Sequence, residues 1–322
     1  MPLDRVLARL RQRITPTRRA AFLACFIAGY LIHLFAFTNI IPNSDGLSRV
    51  FDPQQMTVSG RWFLHYASFL NDFTQMPALI GFFSMVFLAL AAAGMVTALN
   101  LHSRALSAFA GVLMAASPCL GYTFLYMFTA SAYCLAILLA VLAVCLVKKG
   151  GWLRTLGGVV LLALAMGIYQ AYAAVAVALS LLVVLRACLH ARTTLKGTAW
   201  LGFRLAGFLA VGAALYYGVL QIFLAVKDLE LLDYLGMSDA GSGYPIAQLP
   251  GLILSAYKQV FVFFFWPNGS NSFTTPLLAG LDLLALALAV ACFLAIVFRR
   301  ALWREPWRPV SYTHLPAHET VL

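Results

Sequence analysis

The sequence predicts an all-α polytopic membrane protein, and three observations carry that prediction. Hydrophobic residues make up 62% of the 322-residue chain and charged residues only 10%, with a mean hydropathy of +0.88. Soluble globular domains run at about 45–50% and about 25%. The apolar residues form continuous runs of about 20 residues, the length of a helix that crosses a ~30 Å hydrocarbon core. The charges between those runs are segregated by sign. A water-soluble domain, a disordered regulator and a nucleic-acid-binding module are excluded on composition. The net charge of +11 is topogenic and calls for no nucleic-acid partner.

The runs fall at roughly 20–41, 76–98, 105–123, 128–147, 200–226 and 277–298. A seventh stretch, about 155–187, would make one helix of ~50 Å, too long for a single straight span. The polar knot Tyr169-Gln170-Ala171-Tyr172 lies near its middle, so it reads as two shorter spans meeting there, for about eight transmembrane helices in all. With the first span starting inside, all Lys and Arg except Arg49, Arg61, Lys227 and Lys258 fall in inner segments. Asp45, Asp52, Asp72, Asp228, Glu230, Asp233, Asp239 and Asp282 go the other way. The positive-inside rule then places both termini in the cytoplasm. The opening arm, 1–19, is rich in Arg and reads as an amphipathic helix on anionic lipid. The run 252–266 is short and carries Lys258 near its centre, so it reads as interfacial or re-entrant. Residues 310–322 differ in composition and look like a translated adapter-derived tail. The expected organisation is a transmembrane domain over 1–309, truncated at its C-terminal end.

No glycine-rich phosphate loop, GxGxxG, HExxH, DxD or CxxC is present, so neither a nucleotide-driven pump nor a zinc site is indicated. The six Cys lie in or beside apolar runs and read as small buried residues. No cofactor is implied, no metal ligand set is assigned, and a need for a divalent metal is left open. His33, in the first span, reads as a hydrogen-bonded packing residue.

The chemistry concentrates in the first outer loop, about 42–75. Asp45 and Asp52 follow the first span, with Arg49 between them and Arg61 beyond. Arg binds phosphate bidentately and a carboxylate accepts a proton from an attacking hydroxyl. From about 58 to 70, Trp62, Phe63, Tyr66, Phe69 and Leu70 recur at helical spacing, predicting a periplasmic amphipathic helix flat on the membrane. Tyr122, Tyr126, Tyr133, Tyr169, Gln170 and Tyr172 fall near the outer ends of spans three to six. They form an interfacial aromatic belt or, with Trp62, a wall that contacts sugar and acceptor. Without more, Asp45 and Arg49 also fit a surface ion pair in an ordinary loop.

The ordered set NSDGLSRVF (43–51), SGRWFLHY (59–66), SPCLGYTFLYMFTASAYCLAILLA (117–140) and MGIYQAYAAVAVALS (166–180) resembles the bacterial membrane glucosyltransferases of O-antigen modification, the Gtr type II family. The resemblance covers about residues 15–300. It implies a GT-C-like membrane glycosyltransferase that takes glucose, or another hexose, from a polyprenyl-phosphate sugar. The acceptor would be lipopolysaccharide O-antigen or a related surface glycan, and the active site periplasmic. By resemblance Asp45 is the catalytic base candidate, and Arg49 and Arg61 are donor phosphate candidates. Asp45 lacks the adjacent second acid of the family pattern, having Ser44 and Gly46 as neighbours, so Asp52 stands as a second catalytic candidate. The partners implied are the lipid-linked donor, the glycan acceptor and membrane lipid. A flippase for a lipid-linked sugar and a non-catalytic envelope-assembly subunit are the alternatives. The apolar spans disfavour the first, and the second does not require the loop Asp and Arg residues.

Overall fold

The computed structural model describes residues 14–41, 57–68, 76–189, 195–232, 246–266 and 275–299, and the described residues are helical, with no strand among them. The helices are α1 Pro16–Thr38, α2 Leu64–Ala67, α3 Pro77–Ala98, α4 Arg104–Ala115, α5 Pro118–Leu125, α6 Met127–Lys149, α7 Trp152–Ile168, α8 Ala173–Leu189, α9 Leu195–Lys227, α10 Leu249–Phe265 and α11 Pro276–Arg299. Starts and stops follow local chemistry. Pro16, Pro77 and Pro118 stand in first turns, where the missing N–H costs nothing and the fixed φ suits the helix. Thr15 and Ser103 cap α1 and α4, their hydroxyls accepting from Arg18 N (3.4 Å) and Leu106 N (3.3 Å). Gly150 and Gly151, with φ of 76° and 92°, turn the chain between α6 and α7 in a conformation that favours glycine.

α1, α3, α6, the Gln170–Leu189 segment, α9 and α11 are each long and apolar enough to cross a membrane, and α4 with α5, bent by 43°, passes the same test only as a pair, the pattern of a broken span or a re-entrant loop. α7 is apolar but has only 17 residues, about 25 Å of helix. All eight expected runs are helical and the seventh is divided where the polar knot predicts, but among the described residues six helices are long and apolar enough to span by themselves, seven with the bent pair, and α7 is shorter than a full span. α7 ends at Ile168, Tyr169 is extended (φ −162°, ψ 124°) and Gln170–Tyr172 is a single 3-10 turn. The bend between α4 and α5 also has a sequence cause. Pro118 cannot donate, and it holds Ser117 extended. The Ala115 carbonyl at the bend is taken by buried His33, whose Nε2 donates across 3.0 Å. A carbonyl only accepts, so Nε2 carries the proton, and His33 is the packing residue expected of it.

The first compact unit comprises residues 1–187 and 196–232. Its core is centred on α6, where 72% of the apolar window is buried, against 28% for α1. Small residues let the backbones close, as in other membrane bundles. A side chain at Gly94 would lie 2.7 Å from Val141 Cγ1 of α6, and Gly111 packs on the α1 backbone at Ala21 and Cys25. Cys145 Sγ bonds Gly94 O (3.3 Å). Cations gather at one end. Lys148 Nζ donates to Ala98 O (2.7 Å), Arg186 Nη2 to Asn100 O (2.8 Å) and Arg204 Nη2 to Lys148 O (3.0 Å). Basic side chains there satisfy carbonyls left over at helix C-termini and oppose the helix dipoles.

The second unit, residues 188–195 and 233–322, contributes α10 and α11, which pack on each other. α10 is 17 residues long, shorter than a full span, and includes Lys258. Residues 1–13 and 310–322 lie outside the described residues; Arg18 and Arg19 of the expected N-terminal arm belong to α1.

Candidate functional site

At the end of the first unit opposite its basic end, residues 57–63 form a turn docked on α7 and α9. Gly60 N bonds Thr57 O (2.9 Å), and Gly60 itself has φ of 79°. That left-handed residue stops a helix from running through 58–63. Only Leu64–Ala67 is helical, one turn long, and residues 69–70 lie outside the described residues. The expected flat amphipathic helix over 58–70 is corrected accordingly. Trp62 is also not a lipid-facing anchor: it is 7% exposed and stacks on Phe223 of α9 (5.6 Å, 19°). Gly167 admits it. A Cβ there would lie 2.7 Å from Trp62 Cε2, while the Gly167 carbonyl accepts from Phe63 N (2.8 Å). A carbonyl turned to a neighbouring segment suits the end of α7 one residue later.

Three further bonds reach the turn, and a fourth ties two of their donors together. Gln170 Nε2 donates to Ser59 O and to Tyr216 Oη, both at 2.9 Å, and Tyr216 Oη donates to Gly60 O at 2.9 Å. Leu232 N, past the end of α9, donates to Val58 O (3.0 Å). The turn thereby delivers Arg61 to a tyrosine cluster. The guanidinium carbon lies 4.4 Å from the Tyr169 ring centre, a cation–π distance. Tyr169 stacks on Tyr133 of α6 (5.5 Å, 20°), and Tyr172 meets both rings at 5.6 and 6.0 Å. Among the described residues no acceptor meets Arg61 Nε or Trp62 Nε1, although both atoms are buried. An unmet buried N–H costs about 1–3 kcal/mol, more for a charged group. Arg204 Nε at the basic end is in the same state, but here two such donors stand on adjacent residues, an arrangement suited to an acceptor-rich, anionic group.

The structure therefore brings together Arg61, Trp62, Tyr169, Gln170 and Tyr172. Tyr122 is half-buried on α5, whereas Tyr126 is 39% exposed and turns its ring to Phe128 (6.1 Å). Asp45, Arg49 and Asp52 lie outside the described residues. Tyr216 is the site residue that sequence reasoning missed. It stands in the run 200–226, whose composition marks it only as a membrane span. Its signal was a phenolic hydroxyl inside an apolar helix, where a buried O–H needs a partner. Among the described residues no group of three or more His, Cys, Asp or Glu comes together as a metal site.

The model of the glucosyl transferase GtrII family matches residues 34–302. The chain belongs to this family. No curated protein and no solved structure matches it. The matched span takes in the 57–63 turn, the helix break at 169–172 and Tyr216, so the Arg61 cluster is part of the GtrII region itself. The family name indicates glucosyl transfer, and the all-helical GtrII bundle, with six or more helices able to span a bilayer, sets that activity in a membrane protein.

Proposed function

We propose that this GtrII-family protein transfers glucose from a polyprenyl-phosphate sugar to a surface glycan, lipopolysaccharide O-antigen or a related polymer, at the periplasmic face of a bacterial inner membrane. The observation that carries the reading is Arg61: a guanidinium seated on Tyr169 whose buried Nε, like the neighbouring Trp62 Nε1, meets no acceptor among the described residues. Such a pair favours a phosphate oxygen, for which Arg offers a planar fork of donors. The segregation of Lys and Arg to the opposite end supports the periplasmic assignment by the positive-inside rule, with both termini cytoplasmic.

The chemistry is a single displacement. A carboxylate of the first loop, Asp45 or else Asp52, takes the proton from a glycan hydroxyl. The hydroxyl oxygen bonds to the anomeric carbon, and the bond from that carbon to the phosphate oxygen breaks. The polyprenyl phosphate leaves with the electron pair, its charge met by Arg61 and Arg49, and the anomeric configuration inverts. In this reading Tyr169, Gln170 and Tyr172 face the sugar and acceptor, while Tyr122 and Tyr126 of the expected wall stand apart from the Arg61 cluster. Trp62 contributes its indole N–H edge, since its ring is committed to packing on Phe223. The test is transfer of labelled glucose from polyprenyl-phosphate glucose to isolated glycan, comparing the parent with Asp45→Asn. Loss of transfer with retained membrane insertion fits the proposal; undiminished transfer removes Asp45 from the centre.

A further inference from the structure

The turn that carries Arg61 is held through two main-chain carbonyls, and both holds come from distant helices. Ser59 O accepts from Gln170 Nε2, Gly60 O accepts from Tyr216 Oη, and Gln170 Nε2 also donates to Tyr216 Oη, each at 2.9 Å. The proton inventory allows one arrangement. Carbonyls only accept, so the Gln170 amide must turn its NH2 to the loop. Its two protons go to Ser59 and Tyr216, and the single phenolic proton of Tyr216 is left for Gly60. Tyr216 is 6% exposed, unlike its neighbour Tyr217 at 46%, and a buried hydroxyl without a partner is costly. Its one polar atom is spent on the residue immediately before Arg61. Gly60 is also the residue whose positive φ turns the chain, so the clamp grips the hinge of the turn.

We propose that Tyr216 and Gln170 are positioning residues: they lock the Ser59–Gly60 turn so that Arg61 meets the donor phosphate in a single orientation. The clamp stands on its hydrogen bonds, and its catalytic consequence rests on the transferase reading above. Tyr216→Phe keeps the ring and its packing and removes only the bonds to Gly60 and Gln170, so it separates positioning from core filling.

The test uses the full chain in lipid nanodiscs: parent, Tyr216→Phe, Arg61→Lys and the double variant. One readout is amide hydrogen exchange over 57–64, where Gly60 N and Phe63 N are bonded. The other is kcat/KM with polyprenyl-phosphate glucose. Tyr216→Phe is expected to speed exchange over 57–64 and leave the α6 amides unchanged. It is expected to lower kcat/KM by roughly 3- to 10-fold, the range one hydrogen bond supplies. In the Arg61→Lys background the same change is expected to cost less than about twofold, because residues acting through one another are not additive. Unchanged exchange over 57–64 overturns the clamp. Faster exchange with the full loss repeated in the Arg61→Lys background overturns its action through Arg61. If the parent shows no transfer at all, the transferase reading fails, and the exchange result alone decides the clamp.

Discussion

Arg61 gives up hydration to lie on Tyr169, and among the described residues its Nε meets no acceptor. That arrangement distinguishes Arg from Lys. A lysine carries the charge but not the planar fork or the face that stacks on a ring. Arg61→Lys should therefore lower glucosyl transfer by about 10- to 100-fold, and Arg61→Ala by about 10²–10³-fold, the loss typical of an electrostatic clamp. Transfer rates from labelled polyprenyl-phosphate glucose measure both, and a fully active lysine variant would mean that charge alone suffices. Gly167 is the other residue on which the site depends. An added Cβ would fall 2.7 Å from the Trp62 ring and 3.0 Å from Phe63 Cβ, which forces a shift of the turn. Gly167→Ala should destabilise the fold by about 1–3 kcal/mol and expose the 57–63 turn to protease. An unaltered unfolding midpoint together with unaltered cleavage would show that the turn is not seated on α7 in this way.

Among the elements, the bend between α4 and α5 shows how a break is tolerated in an apolar setting. Pro118 interrupts the hydrogen-bond ladder, and His33 of α1 supplies the donor for Ala115 O. His33→Leu leaves that carbonyl unmet at a cost of about 1–3 kcal/mol. Because His33 touches none of the Arg61 cluster, thermal stability in detergent should fall while kcat/KM per folded molecule stays near the parent value. A selective loss of turnover would instead assign His33 to the chemistry. The elements also show what the sequence could reveal. Apolar run length marked the spans, and the knot at Tyr169–Tyr172 marked the division of the longest run, because both are local properties of the chain. The 58–70 helix was not legible correctly. Aromatic spacing alone could not register the positive φ of Gly60, or that Gly167, more than a hundred residues away, opens a slot for Trp62. Tyr216 was hidden for a related reason: one hydroxyl in an apolar helix gains meaning only when its partners across the bundle are known. Arg61, Tyr169, Gln170 and Tyr172 were legible because Arg is scarce outside the basic segments and the knot interrupts an apolar run.

At the scale of the whole molecule, charge and fold agree on a polarity. Lys148, Arg186 and Arg204 occupy one end of the first unit and the Arg61–tyrosine cluster the other. Single cysteines in a cysteine-free background convert this polarity into a measurement. Asp228→Cys, beyond the end of α9, should react with a membrane-impermeant maleimide in intact cells. Asn100→Cys and Lys149→Cys should react only after permeabilisation. The opposite pattern would place the Arg61 cluster in the cytoplasm and remove the periplasmic reaction.

The most direct test of the central claim is mass spectrometry of surface glycan from a deletion strain. The strain would be complemented at matched membrane levels with the parent gene or with Arg61→Ala. One hexose per repeat unit is expected with the parent gene, and its loss with both the deletion and the arginine variant. Full hexose decoration with Arg61→Ala would contradict a phosphate role for Arg61, and glycan unchanged by the deletion itself would contradict the glucosyl transfer proposed here.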